Sequence, residues 1–220
     1  KILWLQRNSP AAWHRVAHVL LPKDYLRFRL TGEFATDVSD ASGTSLFDVR
    51  KRRWSPEMME AVGVRPSLLP EPFESPALTG SVSPQAARLT GLLAGTPVAA
   101  GAGDQAAGGI GSGIVEEGRV SLSLGTSGVV FVHASRPLRD RQGRLHTFCH
   151  AVPGAWHLMG VMLSAGGSYR WFRDAFWTAG GRRRSRSIYG EMERAASAIP
   201  PGCDGLLFLP YLSGERCPYP

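Results

Sequence analysis

The first feature of this 220-residue sequence that could do chemistry is an aspartate inside a glycine-rich turn. Gly101-Ala102-Gly103-Asp104-Gln105-Ala106-Ala107-Gly108-Gly109 follows the short apolar run Pro97-Val98-Ala99-Ala100. An apolar run bounded by turn residues reads as a buried strand. The small residues after it read as a helix, so Asp104 falls at the carboxyl end of a strand, where α/β sheets place their ligands. A carboxylate there can accept a proton from an attacking hydroxyl, with Gly103 leaving room for a substrate. The same residue would also serve as a helix N-cap, and the residues alone leave the two readings even.

Gly125-Thr126-Ser127-Gly128 is the second feature, with consecutive backbone N–H groups and two hydroxyls in a tight turn. Such a turn makes an anion-binding nest, and it equally makes a plain hairpin. Gly166 and Gly167 open a helix whose N-terminus could meet phosphate oxygens, or they mark closely packed backbone. Asp40-Ala41-Ser42-Gly43-Thr44-Ser45 has similar composition, but no apolar strand runs into it and Asx and Ser/Thr turns explain it. His146, Cys149 and His150 are metal-ligand types, yet an alternating strand would spread them over both faces, so no metal site is expected there.

These residues need elements to hold them. Ser9-Pro10 predicts a helix start, with Trp13, Val16, Ala17 and Leu20 at helical spacing. Pro22 ends that helix and opens another, whose apolar stripe of Tyr25, Leu26 and Leu30 runs to a cap at Gly32. Residues 36–54 are rich in Asp, Ser and Gly and predict ordered loop with short extended pieces. Pro84 starts a short helix ending at Gly91. A second unit begins near Gly113 with the hairpin 119–132, a third strand at 156–163, a helix carrying Tyr169, Trp171, Phe172 and Phe176, and a last helix over 188–199. Strands followed by helices open a mixed α/β domain.

Composition narrows the function classes. Hydrophobic residues make up 43% of the chain, enough for an ordinary core, and no run approaches the roughly 18 apolar residues of a membrane span. The opening residues lack a signal-peptide pattern, which makes the cytoplasm the expected location. Three cysteines without a CxxC pair predict reduced thiols. The formal charge of +7 comes largely from Arg50–Arg53 and Arg182–Arg186. Without interleaved aromatic residues these runs read as solvated surface, and no nucleic acid or membrane partner is expected.

Laid end to end, these segments resemble the FGGY carbohydrate kinases, most closely the xylulokinase branch, over nearly the whole chain. Lys1–Asn8 fits the latter part of the family's N-terminal signature, and Thr36-Asp37-Val38-Ser39-Asp40-Ala41-Ser42 looks like its TDxSxAS segment. Residues 101–108 resemble GxGDxxxG, 123–128 the second phosphate loop, 146–174 the xylulokinase pattern, and Gly205–Arg216 a further family string. The resemblance implies an actin-like, ribonuclease-H-like pair of α/β domains, with residues 1–113 ending the first and 114–220 starting the second. It implies transfer of the γ-phosphoryl group of ATP, with Mg²⁺, to a sugar hydroxyl, xylulose first. Asp104 would be the general base and, with Gln105, a sugar contact. Gly125, Thr126 and Ser127 would hold phosphates, and Gly166 and Arg170 would lie against the nucleotide.

The family's DxGTxxxR phosphate loop and its glycine-rich adenosine segment are not within these residues. The chain is therefore expected to be an internal fragment, inactive by itself, with apolar faces at Trp13, Val16 and Leu20 left uncovered. Rival expectations are a non-catalytic binding module, a kinase for ribulose, gluconate or glycerol, and an actin-like ATPase. A homodimer is compatible with all of them.

Overall fold

The computed structural model describes residues 1–178 and 187–217; the basic run 182–186 lies outside them. Short elements alternate throughout the first half. They are α1 (Ile2–Asn8), α2 (Pro10–Trp13), α3 (Pro22–Thr31), β1 (Thr36–Asp37), α4 (Val38–Ala41), β2 (Phe47–Asp48), β3 (Arg53–Trp54) and α5 (Pro56–Val62), then β4 (Pro72–Phe73), β5 (Leu78–Ser81), α6 (Pro84–Thr90), β6 (Pro97–Ala99) and α7 (Asp104–Gly111). The second half holds β7 (Val120–Leu124), β8 (Gly128–Ala134), β9 (His146–Cys149), β10 (Trp156–Met162), α8 (Gly166–Phe172) and α9 (Ile188–Ser197). The longest sheet has strand order β7-β8-β10-β9, and β10 pairs antiparallel with β9 from Trp156↔Cys149 to Met159↔His146.

The chain divides into two compact units. One comprises Lys1–Ser121, Phe131–Asp140 and His146–Met159; the other comprises Leu122–Val130, Arg141–Leu145 and the chain from Gly160 on. In the first, Val38, Ala41, Phe47 and Cys149 form a core on which Val49, Trp54 and Trp156 pack.

Serine–proline pairs start three helices, and only two are capped by the serine. Ser55 Oγ accepts the Met58 N–H and Ser83 Oγ accepts the Ala86 N–H. Ser9 makes no such bond, and the helix expected to reach Leu20 stops at Trp13. The Val19 N–H instead donates to Leu68 O at 2.8 Å, which takes the segment out of helical geometry. Trp13, Val16 and Leu20 are half-buried there.

Helix α3 ends as its sequence requires, at Gly32 with φ +84°, but it presents a different face. Tyr25 and Leu26 are exposed, while Asp24 and Arg27 are buried. The Arg27 guanidinium donates to Thr79 O and Glu33 O, both at 2.9 Å, so backbone carbonyls and carboxylates decide the rotation of the helix against its weak apolar stripe. Residues 36–54 are also more ordered than a loop, because the Asp37 carboxylate accepts the Ser39 and Asp40 N–H groups and caps α4. Among the described residues strand β6 pairs antiparallel with β5, and Pro97 and Ala99 are exposed, not buried as the apolar run predicts.

Arg52 leaves the solvated basic run. Its guanidinium grips Glu74 with two bonds of 2.7 Å, donates to Ala155 O and lies over the Trp156 ring. The three cysteines are free, with Cys149 and Cys217 buried.

Burial also creates an acid-sensitive cluster. His157 is 2% exposed, stacks on Phe131 with ring centroids 4.3 Å apart, and meets His150 edge-on at 5.7 Å. Burial, then the neighbouring His150, pushes its pKa down to about 3. Burial likewise lowers His150 to about 4, where its Nδ1 accepts the Val152 N–H and its Nε2 lies 3.0 Å from Ile114 O. The folded protein therefore holds neutral imidazoles that the unfolded chain protonates below about pH 6.5. Their stabilisation is complete above that pH and is lost as pH falls toward 4 and 3. For His157 alone, the loss from pH 7 to pH 5 is about 2 kcal/mol. Urea midpoints at the two pH values measure it, and His157→Phe is expected to flatten the difference; an unchanged difference would refute the assignment.

Candidate active site

Two structures within the chain present groups suited to phosphoryl transfer, and each is built locally. In the first unit, Gly103 is the N-cap of α7 and Asp104 its first residue, so the capping alternative falls to the glycine. Asp104 Oδ1 accepts the Gln105 N–H at 2.8 Å, and both side chains are exposed at the start of the helix. Ala106 and Gly109 bury the opposite face. A Cβ at Gly109 would meet the Phe131 ring at 2.7 Å, so the small residues of this helix let it lie against β8.

Behind Asp104 lies a polar cluster that draws on Lys23, Asp24 and the stretch Thr36–Ser42. Lys23 Nζ sits 2.5 Å from Asp24 Oδ1 and 2.9 Å from Asp37 Oδ1, with Asp40 Oδ2 at 3.9 Å. Burial alone would lower the Lys23 pKa, but the charge of Asp37 and the hydrogen bond to Asp24 hold it above its usual value. Burial raises the Asp40 pKa; Lys23 opposes this, while the carboxylates of Asp37, Asp24 and Asp104 add to it. Asp37 is fully buried and accepts from Ser39 N, Ser39 Oγ and Ser75 Oγ. Ser39 Oγ in turn accepts the Gly103 N–H at 3.0 Å. The signal available in the sequence was Lys23-Asp24 at a helix start, followed by Thr36–Ser42.

In the second unit, the turn after β7 is fixed to the start of α8. The N–H groups of Ala165, Gly166 and Gly167 donate to Thr126 O, Gly125 O and Thr126 O at 2.8, 2.9 and 3.1 Å, and Ser127 Oγ donates to Leu163 O. A Cβ on Gly166 would stand 2.6 Å from Gly125 O, and one on Gly167 would stand 3.0 Å from Ser164 Oγ. These glycines therefore act by close backbone approach, and their amides are already committed. The free donors lie in the turn itself: Thr126 and Ser127 N–H donate to no backbone carbonyl among the described residues, and both side chains are exposed. Two adjacent uncommitted amides and a hydroxyl fit a phosphate group. Arg170 projects from the same short helix and is exposed. A separate cavity of about 430 Å³ in this unit is lined mainly by apolar side chains such as Leu122, Leu124, Leu145 and Met162, and has none of these donors.

Comparison with known proteins identifies the family. Residues 1–111 match the N-terminal domain of the FGGY family of carbohydrate kinases and residues 120–220 match its C-terminal domain. The chain is 43% identical over its whole length to the xylulose kinase of Escherichia coli K12 and 42% identical to that of Lactococcus lactis, covering 43% and 42% of those proteins. It thus spans less than half the length of the curated relatives it matches. The crystal structure of xylulose kinase from Rhodospirillum rubrum superposes on all of it with a TM-score of 0.90 at 29% identity, covering 44% of that chain. The α/β fold is therefore the actin-like sugar kinase fold, and the chain belongs to the FGGY family of carbohydrate kinases.

Proposed function

We propose that the full-length protein phosphorylates D-xylulose to D-xylulose 5-phosphate with ATP. The observation that carries the reading is the exposed Asp104 carboxylate on the first turn of α7, with one oxygen accepting the Gln105 N–H. The names and identities of the two xylulose kinases above support the choice of sugar. The sugar's primary hydroxyl gives its proton to Asp104 as its oxygen attacks the γ-phosphorus, and Gln105 contacts the sugar. Thr126 and Ser127 hold phosphate oxygens through their uncommitted amides, with Gly125 shaping the turn. Gly166 brings α8 against that turn, and Arg170 lies toward the nucleotide. Mg²⁺, bound with the nucleotide, supplies charge neutralisation at the phosphates.

In this reading residues 1–113 belong to the first domain and 114–220 to the second, consistent with the family matches. The enzyme works in the cytoplasm on small molecules, without nucleic acid or membrane, and a homodimer is compatible with it. None of the described helices is long and apolar enough to cross a membrane. A panel of xylulose, ribulose, gluconate and glycerol with ATP tests the substrate, and a higher kcat/KM for any sugar but xylulose overturns that part.

Three variants of the full-length protein test the roles. Asp104→Asn is expected to lower kcat by about 10²- to 10⁴-fold while the xylulose KM changes far less; more than half the wild-type kcat would remove Asp104 from the chemistry. Thr126→Val keeps the shape but loses a hydroxyl donor, so the KM for ATP is expected to rise, and unchanged ATP kinetics would reduce Gly125–Gly128 to a plain hairpin turn. Gly166→Ala forces a methyl group onto Gly125 O. It is expected to raise the ATP KM by about tenfold with the xylulose KM held, and equal effects on both substrates would contradict the assignment.

A further inference from the structure

We propose that Ser39, held by Asp37, is a positioning residue for Asp104. The inference rests on the reading of Asp104 as the general base, and its argument is one of hydrogen-bond supply.

A serine hydroxyl has one proton to give and lone pairs to receive. Ser39 Oγ lies 2.5 Å from Asp37 Oδ2, an oxygen that can only accept from it, so its single proton is committed there. What remains is acceptor capacity, and the Gly103 N–H uses it at 3.0 Å. Asp37 cannot turn away, because Oδ2 also accepts from Ser39 N at 2.8 Å and Ser75 Oγ at 2.9 Å, while Oδ1 faces Lys23 Nζ at 2.9 Å and Asp40 N at 3.3 Å. Asp37 has no solvent exposure and Ser39 only 6%, so water does not compete for these bonds.

Gly103 is thereby held on both sides. Its N–H is fixed by Ser39, and its carbonyl accepts the Ala107 N–H at 2.9 Å, an opening bond of α7. With φ −58° and ψ 149°, Gly103 sets the direction in which the chain enters Asp104. A Cβ there would lie 3.4 Å from the Cα and Oδ1 of Asp40, in ordinary contact, so Gly103 packs directly beside α4. The Asp104 side chain has no other constraint of comparable depth: it is exposed and bonds its own neighbour's amide. Its bearing on a bound hydroxyl is therefore set through the backbone, and a displacement of about 1 Å at a reacting group can cost about 10²-fold in rate.

Ser75→Ala supplies the matched control. Like Ser39→Ala it removes one hydroxyl donor from Asp37 Oδ2, but it leaves the Ser39–Gly103 bond in place. In the full-length protein, Ser39→Ala is expected to lower kcat about tenfold with the ATP KM unchanged and Gly103 amide exchange accelerated. Ser75→Ala is expected to stay within about twofold in kcat with Gly103 protected, and Ser39→Thr, which keeps the hydroxyl, is expected to recover most of the loss. A folded Ser39→Ala enzyme within about twofold of wild type, or an equal kcat loss in Ser75→Ala, overturns the inference. So does rapid Gly103 exchange in the wild-type protein, a measurement that does not depend on any variant folding. Full activity in Asp104→Asn overturns the base assignment, whereas full activity in Ser39→Ala beside an inactive Asp104→Asn overturns only the positioning role.

Discussion

A carboxylate with no access to water has to be satisfied by the protein around it, and Asp37 is such a group. Lys23 from α3 supplies the opposite charge, Ser39 and Asp40 from α4 supply amides, and Ser39 and Ser75 supply hydroxyls. Segments far apart in sequence meet at this one side chain. Loss of Lys23 would leave buried charge uncompensated, which costs far more than the pair contributes to stability. The arrangement therefore favours one geometry over its neighbours, and the turn before Asp104 inherits that geometry through Gly103. The buried face of α3 follows from the same requirement, because Lys23 and Asp24 must point inward even though Tyr25 and Leu26 are then exposed.

The turn proposed to bind phosphate is held on a different principle. Backbone carbonyls of the turn at Gly125 receive amides from the start of α8 across distances that only glycine at 166 permits. The helix start is spent on architecture, and the amides left for an anion are those of the turn. In the proposed nucleotide site Gly166 would thus act by admitting the backbone that makes the contact. Ser127 shows the same division of labour, with its hydroxyl given to Leu163 O and its amide left over.

Much of this was legible along the chain. Pro22 and Gly32 mark the limits of α3, Pro84 and Gly91 those of α6, and the hairpin around Gly125–Gly128 and the helix from Ile188 fall where pattern and turn chemistry put them. Local signals sufficed there because local bonds decide those ends: a left-handed glycine, a serine cap, a tight turn. They failed where a distant partner intervened. The Val19 amide pairs with Leu68 and ends α2 early, and Arg52 leaves a basic run for Glu74 and Trp156. The polar stretch 36–54 looked like loop because its capping carboxylate also serves residues 23 and 75, which no window of sequence contains.

By itself, then, the sequence determined the family and the α/β class, and it singled out Asp104 and Thr126 as the groups proposed to react and to bind, because those rest on short strings in a fixed order. Only the tertiary structure decided what aims them. That Ser39 receives the Gly103 amide, that Lys23 answers three carboxylates, and that Gly166 gives up its own N–H to Gly125 depend on approaches between separate elements, and on side-chain and backbone directions that residue type does not encode. A hydrogen bond is specified by the position of both partners, and the sequence names each partner without placing either.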